Sequence, residues 1–426
     1  MPGAIAHSAF SRIGHLASLP RVHAAFQWFH LHERKTMQWQ QELVAIAAPP
    51  FGEGRRAEWL AERFRELQLE EVEIDSEGNV LGCYRSGSAA APGLLCVMLS
   101  AHIDTVFPIH TPIAPLIENN RLQAPGACDN GAGVAGMLAV AAALQSSAIE
   151  LPCDLLFVGN VGEEGEGDLR GMRYLYGGSR WRQRIGANIV LDGAGCEVVV
   201  TQGLGSRRYL VTVEGPGGHS WTDAGVPNPI VVLSRAIASM SELNLPASPR
   251  TTLNIGTIEG GSSVNSIPEQ ATARFDLRSL EPEQLVRLEV ELHRAVEDAV
   301  LAANAMAPGR SGRSKGRGAL EFLITRIGDR PAGKLNDDSP LLEALHAVDR
   351  HLGIRAEQRV ASTDANIPLS LGIAALSIGA GGDGGGIHTS SEWYDASGRE
   401  LALKRILLLL LLALDQLAQP PVAGKA

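Results

Sequence analysis

The sequence predicts an α/β protein with a mainly parallel sheet, interrupted by a small inserted ferredoxin-like domain of βαββαβ order. Three observations predict it. Apolar runs of strand length alternate with helical segments in the first and last parts of the chain. The middle changes to a strand–helix–strand–strand–helix–strand rhythm. A chain of 426 residues also exceeds what one simple core organises.

Residues 1–35 form an N-terminal extension with five histidines, His7, His15, His23, His30 and His32, but no matching carboxylate or thiolate cluster. A helical extension packed on the body is therefore expected, rather than a metal-binding tail. A helix is expected over about 36–48, stopped by Pro49 and Pro50. A second, over 53–67, places Trp59, Leu60, Phe64 and Leu67 at helical spacing. Strands follow at 72–74, 80–84, 94–101, 154–161 and 189–192, with an alanine-rich helix over 133–145. Continuous apolar runs of this length suit a sheet covered on both faces.

In the middle, strands are expected at 207–214, 252–258, 271–278 and 320–326. The helices between them are 229–243, introduced by Pro227 and Pro229, and 281–304, with Leu285, Leu288, Leu292, Val296 and Val300 on one stripe. The run 306–319 is rich in Gly, Ser and Arg, and reads as a mobile loop; it lacks the aromatic residues an RNA-binding patch would stack on. The α/β rhythm returns after about Leu335 with 340–352, 374–378 and a C-terminal helix. The expected division is 36–205 and 329–426 for the main domain, and 206–328 for the insertion. Ile406 to Leu414 is strongly apolar but only nine residues long, which suits a buried helix and not a membrane span.

Composition narrows the function. Net charge is −10 with no long basic stripe, which argues against a nucleic-acid partner. The five cysteines are scattered without a CxxC pair, so free thiols in a reducing compartment are expected. No secretory leader is expected at the N-terminus, and a cytoplasmic location follows.

The residues able to carry chemistry fall at or just after strand ends, where open α/β sheets build their sites. His102 ends an apolar strand, and Asp104 stands two residues on, placed to orient its imidazole. Asp129 lies among small residues in GACDNGAG, where a helix N-cap is the competing role. Glu163 and Glu164 follow another strand, and adjacent glutamates point in different directions, one towards a metal and one towards a water. Asp192 ends the strand VLD, and His388 follows a glycine-rich run. Two histidines and three carboxylates form an N/O ligand set that suits a dizinc hydrolase.

With this set the sequence resembles the M20 metallopeptidases, which include tripeptide aminopeptidase, acetylornithine deacetylase, aminoacylase and glutamate carboxypeptidase. The resemblance runs from about residue 36 onwards, and the ligand separations of 27, 35, 28 and 196 residues keep the family's order. It implies that 36–205 and 329–426 form a catalytic domain and that 206–328 is a lid that also serves dimerisation. It further implies two Zn2+ ions, replaceable by Mn2+ or Co2+. Asp129 would bridge them, His102 and Asp192 would complete one site, and Glu164 and His388 the other. Glu163 would be the general base and Asp104 the partner of His102. His219, in GPGGHS, matches the lid histidine that polarises the scissile carbonyl, often from the partner subunit. Asn265 in VNSIPE and Arg278 in RFDLRS match residues that hold substrate; a structural ion pair is the other reading of Arg278.

In the family, aspartate at the position of Asp192 accompanies aminopeptidases and dipeptidases, and STDAN at 362–366 resembles the tripeptidase branch. Hydrolysis of small peptides is therefore expected, with N-acyl amino acid deacylation or carboxypeptidase action as the alternatives. A catalytically silent relative is disfavoured because neither a ligand nor Glu163 is missing. Asn130 departs from the Lys or Thr common after the bridging aspartate, and the glycine run 381–386 is also unusual.

Overall fold

The computed structural model describes residues 8–85, 95–306 and 319–418. It divides into two compact units. One comprises the described residues up to Gly203 and from Gly333 onwards, the other Leu204–Ala332.

A nine-stranded sheet organises the first unit. Its centre is four parallel neighbours in the order Leu155–Asn160, Cys96–His102, Ile185–Leu191 and Ala374–Ile378. Leu99 pairs with Phe157 on one side and Ile189 on the other. Every residue of the first two of these strands is buried, as their unbroken apolar sequences require of strands covered on both faces. Towards the edges the pairing turns antiparallel, through Val80–Tyr84 and Glu70–Ile74 on one side and Val198–Gly203 with Gly333–Lys334 on the other. Glu357–Ala361 adds a parallel neighbour to Val198–Gly203.

Helix Gly131–Ser147 is apolar all round and buried along nearly its whole length. Ile406 to Leu414 sits fully buried inside helix Arg399–Leu417. None of the described helices is long and apolar enough to cross a membrane.

The N-terminal segment folds as helices Ala9–Ser18, Pro20–Leu31 and Glu33–Val44. Ala9, Ile13, Val22, Ala25 and Phe29 enter the main core. The histidines here have local roles: His30 lies 3.0 Å from Glu400, and His32 stacks on Trp28. The helix expected at 36–48 instead starts at Glu33, continuing the preceding helix after a break at His32, and ends at Val44. Val198–Gly203 and Glu357–Ala361 of the main sheet were not expected from sequence, nor were four short strands, Leu116–Glu118, Arg121–Gln123, Asp383–Gly385 and Trp393–Asp395, which form a separate antiparallel sheet. Three-residue strands carry too little alternation to register, and one of them lies in the glycine run. The glycine at 384 has a packing reason, since a Cβ there would stand 2.4 Å from Cys128 Sγ.

The second unit has four antiparallel strands in the order Thr251–Gly260, Gln270–Ser279, Gly205–Glu214 and Glu321–Arg330. Helices Pro229–Ser241 and Pro282–Met306 cover one face, packing Val232, Leu233, Leu288, Leu292 and Val296 against Tyr209, Val211, Ala273 and Phe275. This is the ferredoxin-like arrangement. Of the basic run 306–319, residues 307–318 lie outside the described residues.

A buried ion pair ties the last helix to helix Pro340–Leu352. Arg405, with no exposed side chain, donates from Nε and Nη2 to the two oxygens of Asp349 at 2.6 and 2.7 Å. Removing one partner of such a pair strands a charge in the core. Asp349→Ala is expected to cost about 3–5 kcal/mol in urea unfolding, whereas a loss within about 0.5 kcal/mol would mean that the pair is solvated.

Candidate metal centre

The carboxyl ends of the parallel strands deliver the candidate ligands to one place in the first unit. His102 is the last residue of its strand, Asp192 follows Ile185–Leu191 directly, and Glu163 and Glu164 come just after Leu155–Asn160. Asp129 precedes helix Gly131–Ser147, and His388 follows strand Asp383–Gly385. His102 Nε2 lies 3.1 Å from Asp129 Oδ1 and 3.9 Å from Asp192 Oδ1. His388 Nε2 lies 3.2 Å from Asp129 Oδ2 and 3.2 Å from Glu164 Oε1. The two oxygens of Asp129 thus serve two separate triads, His102–Asp129–Asp192 and Asp129–Glu164–His388, in each of which the ligand atoms lie within 4.8 Å of one another. Glu163 joins His102 and Glu164 in a third such group. Among the described residues no further group of this kind occurs, and none includes the N-terminal histidines.

Electrostatics follow from that crowding. Burial would lower the basicity of His102, but the neighbouring carboxylates of Asp104, Asp129 and Asp192 outweigh it and hold the imidazole well above its ordinary range. The hydrogen bond to Asp129 pushes His388 up to about 9. Asp129 feels burial but is held well below the usual carboxylate range by the two histidines. Burial raises Glu164 to about 7. Carboxylates this close repel one another unless positive charge stands between them. Two imidazoles and three carboxylates, arranged as two triads with a shared member, match the donor chemistry of a pair of divalent cations.

The surrounding shell is built from buried polar groups. Asp104, completely buried, accepts the backbone N–H groups of Glu163 and Glu164 at 3.0 and 2.8 Å. The ring of His102 meets the Asp104 backbone carbonyl, Nδ1 to O, at 3.2 Å, with the carboxylate 3.6 Å away. Asn130 caps helix Gly131–Ser147 through Oδ1, which accepts from Gly133 N and Gly193 N, each at 3.1 Å, while Nδ2 donates to Leu191 O at 2.8 Å. One side chain thereby fastens the residue after Asp129 to both neighbours of Asp192. Gly133 is required beside it, since a Cβ there would fall 2.2 Å from Asn130 Oδ1.

Three residues of this shell were not identified as functional from sequence. Asn130 stood out only as a departure from a pattern. Asp364 was noted within STDAN; it is fully buried, accepts from Asn160 Nδ2 at 2.7 Å, and burial lifts it to about 7. Glu392 accepts three backbone N–H groups in the Asp129 loop. A lone glutamate in a polar turn has no spacing signal; its position four residues after His388 was the only clue.

The remaining candidates lie in the second unit. His219 pairs with Ser266 across a two-residue ladder, and Ser220 N donates to Asn265 O at 3.0 Å, so His219 and Asn265 are neighbours there. Trp221 N donates to His219 Nδ1 at 3.1 Å, which places the proton of the neutral ring on Nε2. Arg278, on strand Gln270–Ser279, donates from Nε to Asp276 at 2.7 Å.

A mainly parallel α/β sheet with two histidines and several carboxylates gathered beside its strand ends is the architecture of a metal-dependent hydrolase. The chain belongs to peptidase family M20/M25/M40, whose model matches residues 98–414. The uncharacterized protein YqjE of Bacillus subtilis is 24% identical over 85% of this chain and 94% of its own length. A probable carboxypeptidase of Aspergillus terreus is 30% identical over 55% of each chain, so the sequence spans about half the length of that relative. Among solved structures, aminopeptidase PepT from Bacillus cereus superposes with a TM-score of 0.70 at 20% identity, over 90% of this chain and 99% of that one. YXEP of B. subtilis, described as a dinuclear metal-binding M20 peptidase, gives 0.62 at 16% identity over 91% and 99%.

The Asn130 bonds make a separate prediction. Asn130→Ala removes the helix cap and leaves three buried backbone groups without their partner, and should lower stability by about 1–3 kcal/mol in thermal unfolding. An unchanged melting temperature would show those groups to be satisfied otherwise.

Proposed function

We propose that this protein hydrolyses an amide bond in short peptides bearing a free amino terminus, using a dinuclear metal centre. The observation that carries the reading is the division of the Asp129 carboxylate between His102 and His388. On this reading His102, Asp129 and Asp192 would hold one cation, and Asp129, Glu164 and His388 the other. The cations, zinc by preference with manganese or cobalt as substitutes, would supply Lewis acidity for activating a water and polarising the substrate carbonyl.

The protein's own groups do the rest. Glu163, buried beside the ligands, takes the proton of the attacking water and delivers it to the leaving amine. Asp104 holds the Glu163–Glu164 turn through its two backbone bonds, so the base and a ligand keep a fixed separation. His219 donates from Nε2 to the carbonyl oxygen as charge develops there. Asn265 and Arg278 hold the substrate, Arg278 through a carboxylate, which its guanidinium matches in geometry. The protein acts as a homodimer through the second unit, whose strand Thr251–Gly260 stands at the end of its sheet.

Aspartate at 192 and the likeness in fold to aminopeptidase PepT support the aminopeptidase-type reading. The fungal relatives, named as probable carboxypeptidases, favour a second one: cleavage of the residue at a free carboxyl terminus. Metal-loaded enzyme assayed on free dipeptides and tripeptides, amino-blocked peptides and N-acyl amino acids separates these readings. Turnover confined to amino-blocked peptides or acyl amino acids would overturn the preference.

Glu163→Gln should lower kcat by about 10²–10⁴-fold while metal content, measured by atomic emission, stays at the wild-type level. Unchanged turnover would remove Glu163 as the base. His219→Ala should lower kcat by about 10²–10³-fold, the usual worth of one donor to a developing oxyanion. A change in KM alone would assign it to binding instead.

A further inference from the structure

We infer that Glu392 is a positioning residue that sets the Asp129 and His388 ligands in register with each other. Its carboxylate is completely buried, and both oxygens are used. Oε1 accepts from Cys128 N and Asp129 N, and Oε2 accepts from Gly126 N, each at 2.8 Å. These three donors lie 263 to 266 residues away in sequence. The backbone adds a further link, from Ala124 N to Glu392 O at 3.1 Å. One residue therefore grips the loop bearing Asp129 through four hydrogen bonds.

The same residue closes the turn that directly follows the one carrying His388. That histidine has a φ of +64°, a left-handed conformation that residues with a side chain seldom adopt unless their surroundings hold them. One turn encloses it, Thr389 N to Gly386 O at 3.0 Å, and a second follows at once, Glu392 N to Thr389 O at 3.2 Å, ending on Glu392. Arg56 supplies the buried positive charge that faces both Glu392 and Asp104. It is itself fixed by bonds to Ile46 O and Ile103 O at 2.7 and 2.9 Å. The carboxylates behind the two halves of the centre thus share one cation.

A carboxylate suits this work for a stereochemical reason. It is acceptor-only, so both oxygens can receive N–H groups that converge from one loop. Glutamine at the same position turns a donor towards one of them. Aspartate keeps the charge but falls one methylene short.

This inference rests on the metal-centre reading above, and Co2+ binding to the full-length protein tests the two separately. Folded Glu392→Gln, compared with wild type at a temperature where both metal-free proteins are folded, should bind Co2+ about 10- to 100-fold more weakly, with Glu392→Asp recovering part of the loss. Wild-type Co2+ affinity in folded Glu392→Gln overturns the inference, even if the melting temperature falls, because the role is then structural only. Should Glu392→Gln fail to fold, wild-type affinity in Glu392→Asp does the same. Asp129→Asn controls the underlying reading: if it takes up two Co2+ ions like wild type, the metal-centre assignment itself is wrong, whatever Glu392 does.

Discussion

The first unit is organised around a problem of like charge. Asp129, Glu163, Glu164 and Asp192 meet at the ends of buried parallel strands, where water is scarce and repulsion is poorly screened. Two histidines relieve part of it by approaching the separate oxygens of Asp129. The surrounding shell exists to keep these groups together in spite of it. Asp104 holds the glutamate turn, Asn130 joins the Asp129 side to the Asp192 side, and Glu392 fastens the Asp129 loop. Each does so through hydrogen bonds with backbone groups, which leaves the candidate ligand side chains unencumbered.

That division of labour explains what was legible in sequence. The central parallel strands were visible because burial on both faces leaves a nearly continuous apolar record, as in Cys96–His102 and Leu155–Asn160, whereas the exposed parallel strand Glu357–Ala361 leaves none. The candidate ligands His102, Glu164 and Asp192 stood out because each falls at or just after the end of such a record, and Asp129 and His388 because the order of all five matches that of a known family. In the second unit, the alternation of long strands with two amphipathic helices was just as plain. Residues that act through backbone bonds leave no comparable trace. Glu392 sits in a polar turn, and its partners lie more than 260 positions away.

The short strands were illegible for a different reason. Asp383–Gly385 pairs with Trp393–Asp395, which pairs with Arg121–Gln123, so each is stabilised by its neighbours rather than by its own pattern. Two of the three residues in the first of these are glycines, which have no side chain to report a face. The glycine at 384 is nevertheless specified by contact, because Cys128 occupies the space a side chain would need. Cys128 is the residue before Asp129, so the small sheet and the ligand loop are fitted to each other. What looked like an unusual low-complexity run is part of the packing around the centre.

Helix Gly131–Ser147 takes Asn130, not Asp129, as its cap. A helix N-terminus carries partial positive charge and unpaired N–H groups, and aspartate is among the residues best suited to cap it. Had Asp129 capped the helix, its carboxylate would be committed to backbone and drawn away from His102 and His388. Asn130 takes the cap instead, accepting from Gly133 N at 3.1 Å. Being neutral, it can cap the helix without adding another negative charge beside four carboxylates. Its amide can also donate to Leu191 O, which no carboxylate could do. The departure of Asn130 from the family's usual residue is thus matched to its surroundings: it meets the helix's need for an acceptor and leaves both oxygens of Asp129 to the histidines.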